Sequence, residues 1–284
     1  MTVRYSFVST YPPTRCGLAG YTASLRAALP GDDAVDRPVI RVTEEARDDS
    51  PPEVVAELLA GDRGSLRRAA SEINLTDVAI VQYEDGLYGG PDGEEVLALL
   101  DAIRVPRIVV LRTVPAAPSW RQRWVLQSIL DRSEAIVLLT VAAKNCLAAE
   151  YRVAPSRLHV IPYGAHPVGP PAPVRPRGRP TVVTWALLGP GEGIEWGIDA
   201  LRELHDLEPR PQYVIAGPTH PRVLALEGEA YRERLSAHVR RCGLDDYLHF
   251  DEQCGDAASL ERLIAAADVV LLPYDSPTRS PPGC

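Results

Sequence analysis

Between Tyr5 and Leu29, an apolar strand runs through a loop rich in Pro and Gly directly into an amphipathic helix. Gly17 and Gly20 stand in the first turn of that helix, where backbone N–H groups lack intrahelical partners. These groups and the positive end of the helix dipole attract a phosphate or carboxylate, and Arg15 adds a formal charge beside them. The spacing predicts an anion-binding loop; glycines that serve only close packing are the alternative.

Glycines and carboxylates also follow strand-like runs farther along the chain. Gly217 and Pro218 come after one run, and Asp251 and Glu252 come after the next. Ligands of open α/β sheets bind outside the carboxyl ends of the strands, so these residues are candidates for a ligand site. No pair of acidic residues has the spacing of a metal site, and we expect neither a metal ion nor a cofactor.

The elements that must position these residues alternate between strand and helix patterns. In the first part of the chain, we predict strands at 6–8, 39–42, 78–82, 107–111, 135–139 and 158–161, and helices at 53–59, 94–103, 120–130 and 142–151. In the second part, we predict strands at 181–187, 213–216, 247–250 and 269–272, and helices at 194–207, 229–242 and 257–267. This rhythm predicts parallel sheets covered by helices on both faces.

A change of composition divides the chain into two α/β domains. Residues 169–180 are rich in Pro and Gly and have no helical or strand period, which is typical of a linker. We therefore predict two Rossmann-like, doubly wound parallel-sheet domains, at 1–168 and 181–284. The last predicted strand is not followed by a helix, so we expect the second domain to be incomplete.

Composition limits the partners and the location. The net charge of -8 and the absence of a Lys/Arg run argue against a nucleic-acid-binding surface. The chain starts without the pattern of a signal peptide, and no apolar run is long enough to cross a membrane, so we expect a cytoplasmic protein without a transmembrane segment. The five cysteines show no CxxC pair and no Cys/His cluster with zinc spacing; we interpret them as reduced thiols, with Cys16 as a small buried side chain.

Several strings along the chain resemble one enzyme family in their order and spacing. The opening Ser-Thr-Tyr-Pro-Pro-x-Arg-Cys-Gly is followed by Gln-Tyr-Glu at 82–84, Tyr-Gly-Gly-Pro-Asp-Gly at 88–93, Val-Ile-Pro-Tyr-Gly at 160–164, Leu-Gly-Pro-Gly at 188–191, Ala-Gly-Pro at 216–218 and Leu-Pro-Tyr-Asp at 272–275. Together they resemble bacterial family-4 glycosyltransferases, which have the two-domain GT-B fold. The resemblance covers nearly the whole chain.

The resemblance implies a role for each string. In GT-B enzymes the sugar donor, a nucleotide diphosphate sugar, lies against the second domain and the acceptor against the first. It places donor phosphate, sugar or base contacts at Arg15, Gly17, Gly189, Gly191, Glu192, Gly193, Gly217, Pro218, Asp251 and Glu252. It places acceptor contacts at Gln82, Glu84, Gly89, Gly90 and Arg112. It assigns no catalytic side chain, and a polar strand end in solvent is the alternative for Gln82 and Glu84.

Two residues depart from the family pattern at positions that matter for charge. Glu192 stands where the family has a Lys that binds the donor phosphates, and a carboxylate there repels the diphosphate. A first-turn carboxylate that favours its own helix is the other interpretation of Glu192. Arg112 stands where a His is common; it could bind an acceptor phosphate or the donor, but its pKa prevents it from acting as a general base.

The tail gives a hypothesis of its own. The family segment after Pro-Tyr-Asp-Ser-Pro commonly continues Asp-Gln-Val-Thr-Ser-Gly-Val-Leu. Deletion of one base from a codon run for that segment yields Thr-Arg-Ser-Pro-Pro-Gly-Cys, which matches every residue from Thr278 to Cys284. We therefore expect the tail from Thr278 to be a frameshifted reading of the family segment, with a natural short tail as the alternative.

The resemblance implies retaining transfer of a hexose, such as mannose or glucose, from a nucleotide sugar to a hydroxyl of a carbohydrate or lipid-linked acceptor, and leaves a peripheral membrane contact open. One alternative is an inactive truncated remnant or a binding-only protein, because Glu192 and the short second domain weaken the donor site. A further alternative is a dinucleotide oxidoreductase, although Gly17-Leu18-Ala19-Gly20 lacks the first glycine of that fingerprint.

Overall fold

A computed structural model describes residues 3–14, 16–30, 37–46, 50–115, 117–164, 178–252 and 257–274. Unit 1 contains the described residues up to Gly164, and unit 2 contains those from Gly178 to Tyr274. The predicted domain limits at 168 and 180 and the tail from Thr278 stay predictions, because residues 165–177 and 275–284 lie outside the described ranges.

Unit 1 is a parallel sheet with helices on both faces. Its strands are β1 (Tyr5–Ser9), β2 (Val39–Thr43), β3 (Val54–Leu59), β4 (Val78–Tyr83), β5 (Arg107–Leu111), β6 (Ala135–Leu138) and β7 (Leu158–Val160). Its helices are α1 (Gly17–Ala28), α2 (Arg63–Ile73), α3 (Val96–Ala102), α4 (Trp120–Asp131) and α5 (Val141–Glu150), with single 3₁₀ turns at Pro91–Gly93 and Pro155–Arg157. The seven strands have the order β3-β2-β1-β4-β5-β6-β7, and the order reverses between β1 and β4.

The prediction of a helix at 53–59 is wrong, because Val54–Leu59 forms the edge strand β3 and pairs in parallel with β2. The adjacent β-branched residues Val54 and Val55 favour an extended backbone, and pairing with the buried β2 decides the outcome. The helix of this βα repeat comes later, as α2. It begins after Asp62, whose carboxylate accepts hydrogen bonds from the backbone N–H groups of Gly64 and Ser65 at 2.7 and 3.0 Å.

Unit 2 has a second parallel sheet of four strands in the order β10-β9-β8-β11. Its strands are β8 (Thr181–Trp185), β9 (Gln212–Ala216), β10 (Leu248–Asp251) and β11 (Val269–Val270), and its helices are α6 (Ile194–Glu203), α7 (Pro221–Glu227), α8 (Ala230–Arg241) and α9 (Ala257–Ala266). Apart from α7, which the sequence patterns missed, every element of this unit lies at its predicted place. Strand β11 consists of two valines that are 51% and 41% exposed.

Apolar cores fix the carboxyl edges of both sheets. In unit 1, α1 packs on one sheet face through Ala23, Leu25 and Leu29. Helices α2 to α5 supply buried residues to the core on the other face. In unit 2, α6 and α8 cover β9 with a shared core. No helix within the described ranges is both long and apolar enough to cross a bilayer.

Candidate functional site

The carboxyl edge of the unit 1 sheet gathers polar side chains on the face that carries α1. Phe7 pairs with Ile80, and Ile80 pairs with Ile108, so residues an even number of positions after each share that face. The side chains of Ser9 on β1, Gln82 on β4 and Arg112 just after β5 therefore follow the same apolar surface. They lie where the strand order reverses, which is the usual ligand position in an open α/β sheet.

Two adjoining tyrosine rings contact the guanidinium of Arg112. Its guanidinium carbon lies 4.8 Å from the ring centre of Tyr21 on α1 and 4.7 Å from that of Tyr163, which follows β7. The two rings meet edge to face, with centres 5.4 Å apart. Each cation–π contact contributes about 0.5–2 kcal/mol, so the two rings together restrain the cation. We call Arg112, Tyr21, Tyr163 and Gln82 the Arg112 cluster.

The Arg112 cluster contains buried polar atoms that lack partners. Gln82 is fully buried, and within the described residues neither its Oε1 nor its Nε2 forms a hydrogen bond. The same holds for Nε and Nη1 of Arg112, although that side chain as a whole is partly exposed. Each unsatisfied group costs about 1–3 kcal/mol, and such groups mark places where a ligand or an ordered water belongs. Gln82 is thus no solvent-exposed strand end.

The tyrosines of the cluster stay protonated at neutral pH. Burial raises the pKa of the Tyr163 phenol; Arg112 opposes the shift and the Glu84 carboxylate adds to it. Burial likewise raises the pKa of Tyr21 against the opposing charge of Arg112. Glu84 is therefore close enough to Tyr163 for their charges to interact, which brings three of the predicted acceptor contacts, Gln82, Glu84 and Arg112, to one edge.

The loop before α1 ends at Cys16, whose sulfur caps the first turn of the helix. Cys16 is the N-cap residue of α1, and its Sγ accepts from the N–H of Ala19 at 3.4 Å and lies 3.3 Å from Oγ1 of Thr10. Cys16 is only partly buried, so its interpretation as a small buried side chain misses this capping role. Gly17 lies in the first turn, as predicted, and a Cβ placed on it would have no neighbouring atom within 4 Å among the described residues. The predicted partner Arg15 lies outside the described residues.

The glycines at 89 and 90 lie in the loop after β4. A Cβ on Gly89 would lie 2.6 Å from Cβ of Ala60, and Gly90 has a left-handed φ of 78°. Both therefore shape the loop in which the hydroxyl of Tyr88 donates to the backbone carbonyl of Gln82 at 2.7 Å. Close packing accounts for Gly89 and the left-handed φ accounts for Gly90, and their role as acceptor contacts stays a prediction.

In unit 2, the turn before α6 offers backbone groups. Gly191 and Gly193 have left-handed φ values of 92° and 69°, and Gly193 is the N-cap of α6 without a side-chain cap from the described residues. Gly189 is buried, and a Cβ placed on it would lie 3.2 Å from the side chain of Val223. Among the described residues no side chain caps the first N–H groups of α6, and phosphate binding by this turn stays a prediction.

Glu192 brings negative charge to this turn. Its carboxylate contributes, after burial and Glu195, to the raised pKa of the Tyr231 phenol. The hydroxyl of Tyr231 donates to Glu195 at 3.0 Å, so two carboxylates lie beside the start of α6. They stabilise the helix dipole and oppose a bound diphosphate.

Gly217 is required by the backbone at the end of β9. A Cβ there would lie 2.1 Å from the carbonyl oxygen of Ala186, and its φ is 121°. Its N–H donates to the carbonyl of Asp251 at 2.9 Å, and the carbonyl of the exposed Pro218 accepts from Leu188 at 2.9 Å. These residues join three strand ends into one edge.

Arg232, on α8, is the cation of this edge, and sequence reasoning missed it. Its Nη2 donates to the carbonyl of Gly217 at 2.7 Å, and its Nη1 lies 3.1 Å from Oε1 of Glu252. It also contacts Thr219 through Nε at 3.5 Å. Glu252 is thus engaged in an ion pair. Arg232 is one of three arginines between 232 and 240, so the sequence alone could not single it out.

Known proteins resemble this chain in structure but little in sequence. No protein-family model matches the sequence, and no curated protein matches it either. HepE of Anabaena, solved with UDP and glucose, superposes with a TM-score of 0.63 and 15% identity over 97% of this chain and 75% of HepE. A glycosyltransferase of Rickettsia africae gives 0.65 and 11% over 97% and 74%.

WaaG, described as a glycosyltransferase involved in lipopolysaccharide biosynthesis, gives a TM-score of 0.55 and 16% identity over 95% of this chain and 75% of WaaG. At these identities the similarity concerns the fold. The two parallel sheets, their reversed strand orders and these superpositions show that the chain has the GT-B fold.

Proposed function

We propose that this chain is a retaining glycosyltransferase of the family-4 type. It transfers a hexose, such as mannose or glucose, from a nucleotide diphosphate sugar to a hydroxyl of a carbohydrate or lipid-linked acceptor in the cytoplasm. The observation that carries the proposal is the Arg112 cluster. It holds buried, unpartnered polar atoms at the carboxyl edge of a sheet in a GT-B fold.

Unit 1 binds the acceptor in this proposal. The amide of Gln82 can both donate to and accept from a hydroxyl, and the Glu84 carboxylate accepts from a second one. The guanidinium of Arg112, already restrained by two adjoining tyrosine rings, binds a phosphate or carboxylate on the acceptor. Such prior fixation lowers the entropy lost when a ligand binds.

Unit 2 binds the donor diphosphate through the backbone N–H groups at the start of α6. Transfer breaks the bond between the anomeric carbon and the diphosphate, and the acceptor oxygen bonds to that carbon on the same face. The acceptor proton passes to a diphosphate oxygen, so no protein base is required. Glu192 opposes the charge that develops on the leaving group, and we therefore expect weak donor affinity.

The first experiment measures binding of UDP-glucose, GDP-mannose, ADP-glucose and NAD to the purified full chain by calorimetry. We expect one nucleotide sugar to bind and NAD not to bind. Binding of NAD alone would favour the dinucleotide oxidoreductase, and no nucleotide sugar binding at millimolar concentration would refute the proposal. Binding without release of nucleoside diphosphate, with or without acceptor, would favour the binding-only protein.

Glu192→Lys tests the donor site directly. It replaces a repelling charge by an attracting one, and we expect the free energy of nucleotide sugar binding to improve by about 1.5–3 kcal/mol. Glu203→Lys makes the same charge change at the other end of α6 and is the matched control. Equal affinities of the two variants would show that the turn at 189–193 does not bind phosphate.

An exposed aromatic pair favours a lipid-linked acceptor. Trp120 and Trp124, one turn apart on α4, are 76% and 50% exposed, and the neighbouring Arg121 is paired with Glu94 at 2.7 Å. Tryptophan at such a surface is suited to the interface of a bilayer. We expect the protein to sediment with vesicles containing anionic lipid, and Trp120→Ser with Trp124→Ser to weaken this; unchanged sedimentation would point to a soluble acceptor.

A further inference from the structure

Three metal-ligating side chains meet on unit 2, away from the edge that carries Gly217. They are Asp199 on α6, His238 on α8 and Cys242, the residue that ends α8. Nε2 of His238 lies 2.8 Å from Oδ1 of Asp199, and one ligand atom from each residue lies within 4.8 Å of the other two. All three are partly buried, so solvent ions can reach them.

The packing of two helices brings these side chains together. His238 and Cys242 are four positions apart and therefore lie on one face of α8. Their neighbours Leu235 and Val239 are buried against Ile198 and Leu201 of α6. Asp199 directly follows one of these core residues, so the core fixes the distance between the two helices at the cluster.

The end of α8 fixes Cys242. Gly243 has a left-handed φ of 65°, and the N–H of the buried Leu244 donates back to the carbonyl of Val239 at 3.1 Å. This type of helix ending anchors the last turn. The helix carbonyls there carry partial negative charge, which favours a cation at this place.

We propose that Asp199, His238 and Cys242 bind a divalent transition metal ion, zinc in the first instance. A thiolate, an imidazole and a carboxylate are the ligands that zinc prefers, and three of them leave a fourth position for water. Tetrahedral ligands at zinc distances lie roughly 3.3–3.8 Å apart. The contact between His238 and Asp199 must therefore open by about half an ångström, which side chains that are only partly buried allow.

Binding has a defined proton and charge balance. The Cys242 thiol gives up its proton to solvent, and His238 carries no proton on Nε2 when that atom binds the metal. One thiolate and one carboxylate then neutralise the ion. Arg202 lies nearby: Glu203 is the main cause of its raised pKa, and Cys242 and Asp199 add to it.

The test is a titration of the tag-free, chelator-treated full chain with Co²⁺, followed by displacement with Zn²⁺. We expect one equivalent of Co²⁺ to give the near-ultraviolet band of a cobalt–thiolate bond, and one equivalent of Zn²⁺ to remove it. Cys242→Ser should abolish the band, and His238→Ala should weaken binding at least tenfold. Cys146→Ser, on α5 of unit 1, and His205→Ala, an exposed histidine of unit 2, are the controls.

Thermal melting separates binding from folding. Zn²⁺ should raise the melting temperature of the native chain and of both controls, and leave that of Cys242→Ser unchanged. Should Cys242→Ser not fold, Asp199→Asn, which keeps shape, serves with the same readouts. A native chain without a cobalt–thiolate band, or a band that persists in Cys242→Ser, overturns the proposal. Neither readout depends on transferase activity.

Discussion

The carboxyl edges of the two sheets use their polar groups in opposite ways. In unit 1, the amide of Gln82 and two nitrogens of Arg112 are buried without hydrogen-bond partners in the described part of the chain. In unit 2, Arg232 bonds the carbonyl of Gly217 and pairs with Glu252. The first edge leaves side-chain polar atoms without hydrogen-bond partners among the described residues, whereas the arginine of the second edge is bonded to its neighbours.

The largest effect should come from Gly217→Ala in unit 2. The new Cβ would lie 2.1 Å from the Ala186 carbonyl oxygen, which is part of the backbone and cannot move aside. We expect a loss of more than about 4 kcal/mol in the stability of unit 2. Thermal melting followed by near-ultraviolet circular dichroism should show unit 1 still folded.

Gly228→Ala is the matched control for this change. Its φ of 61° is also left-handed, but nothing lies within 4 Å of its Cβ position. It should cost only about 1–2 kcal/mol, which is the strain of the backbone conformation. Equal losses in both variants would mean that backbone strain, and not the contact with Ala186, requires the glycine.

Gln82→Met sharpens the comparison from the side of unit 1. The change removes an amide without partners and keeps the side-chain volume, so we expect unit 1 to gain about 1–3 kcal/mol in stability and, under the proposed function, to bind the acceptor more weakly. Chemical denaturation measures the gain. Gln212→Met in unit 2 should instead lose about 0.5–1.5 kcal/mol, since Nε2 of Gln212 donates to Oγ1 of Thr181 at 2.8 Å. A loss at Gln82 would mean that an ordered water satisfies its amide.

The smallest effect concerns one surface ion pair in each unit. A hydrogen bond from Arg107 lowers the pKa of Glu134 in unit 1, and one from Arg234 lowers the pKa of Glu227 in unit 2. A lowered folded pKa gives stability that is complete above the ordinary value of about 4.5 and is lost as the pH falls through the folded pKa.

Melting temperatures of Glu134→Gln and Glu227→Gln between pH 7 and pH 3 test this dependence. Both variants should lose less stability than the native chain as the pH falls. The difference from the native chain should be larger for Glu134→Gln than for Glu227→Gln, because Glu134 also accepts from the backbone N–H of Arg107 at 2.6 Å. The same pH dependence in the native chain and both variants would show that neither pair contributes.

The sequence predicted the sheets well because each βα repeat carries its own pattern. Gln82, Glu84 and Arg112 come from the family resemblance; they lie at one edge because the ends of parallel strands meet there, and their role as acceptor contacts stays a prediction. The helix predicted at 53–59 failed because its apolar residues suit either period, and only pairing with β2 decides between them.

Contacts between distant parts of the chain could not be predicted in this way. Tyr21 and Tyr163 hold Arg112, yet they come from α1 and from the loop after β7. His238 lies 39 positions from Asp199, so their contact follows from the packing of α6 on α8 and from no short motif. Residues that are brought together by such packing can be identified only from the structure.

The fixed guanidinium of Arg112 has a consequence for substrate discrimination under the proposed function. An acceptor without an anionic group would leave the buried nitrogens of Arg112 unpaired throughout the reaction. Sites built around a hydrogen-bonded group reject analogues that lack it far more strongly than apolar pockets reject a missing methylene, by as much as about 10⁴-fold. Under the proposed function, neutral sugars that differ from the true acceptor by one phosphate or carboxylate would therefore be very poor acceptors. Their rejection would be the clearest sign that Arg112 binds the acceptor.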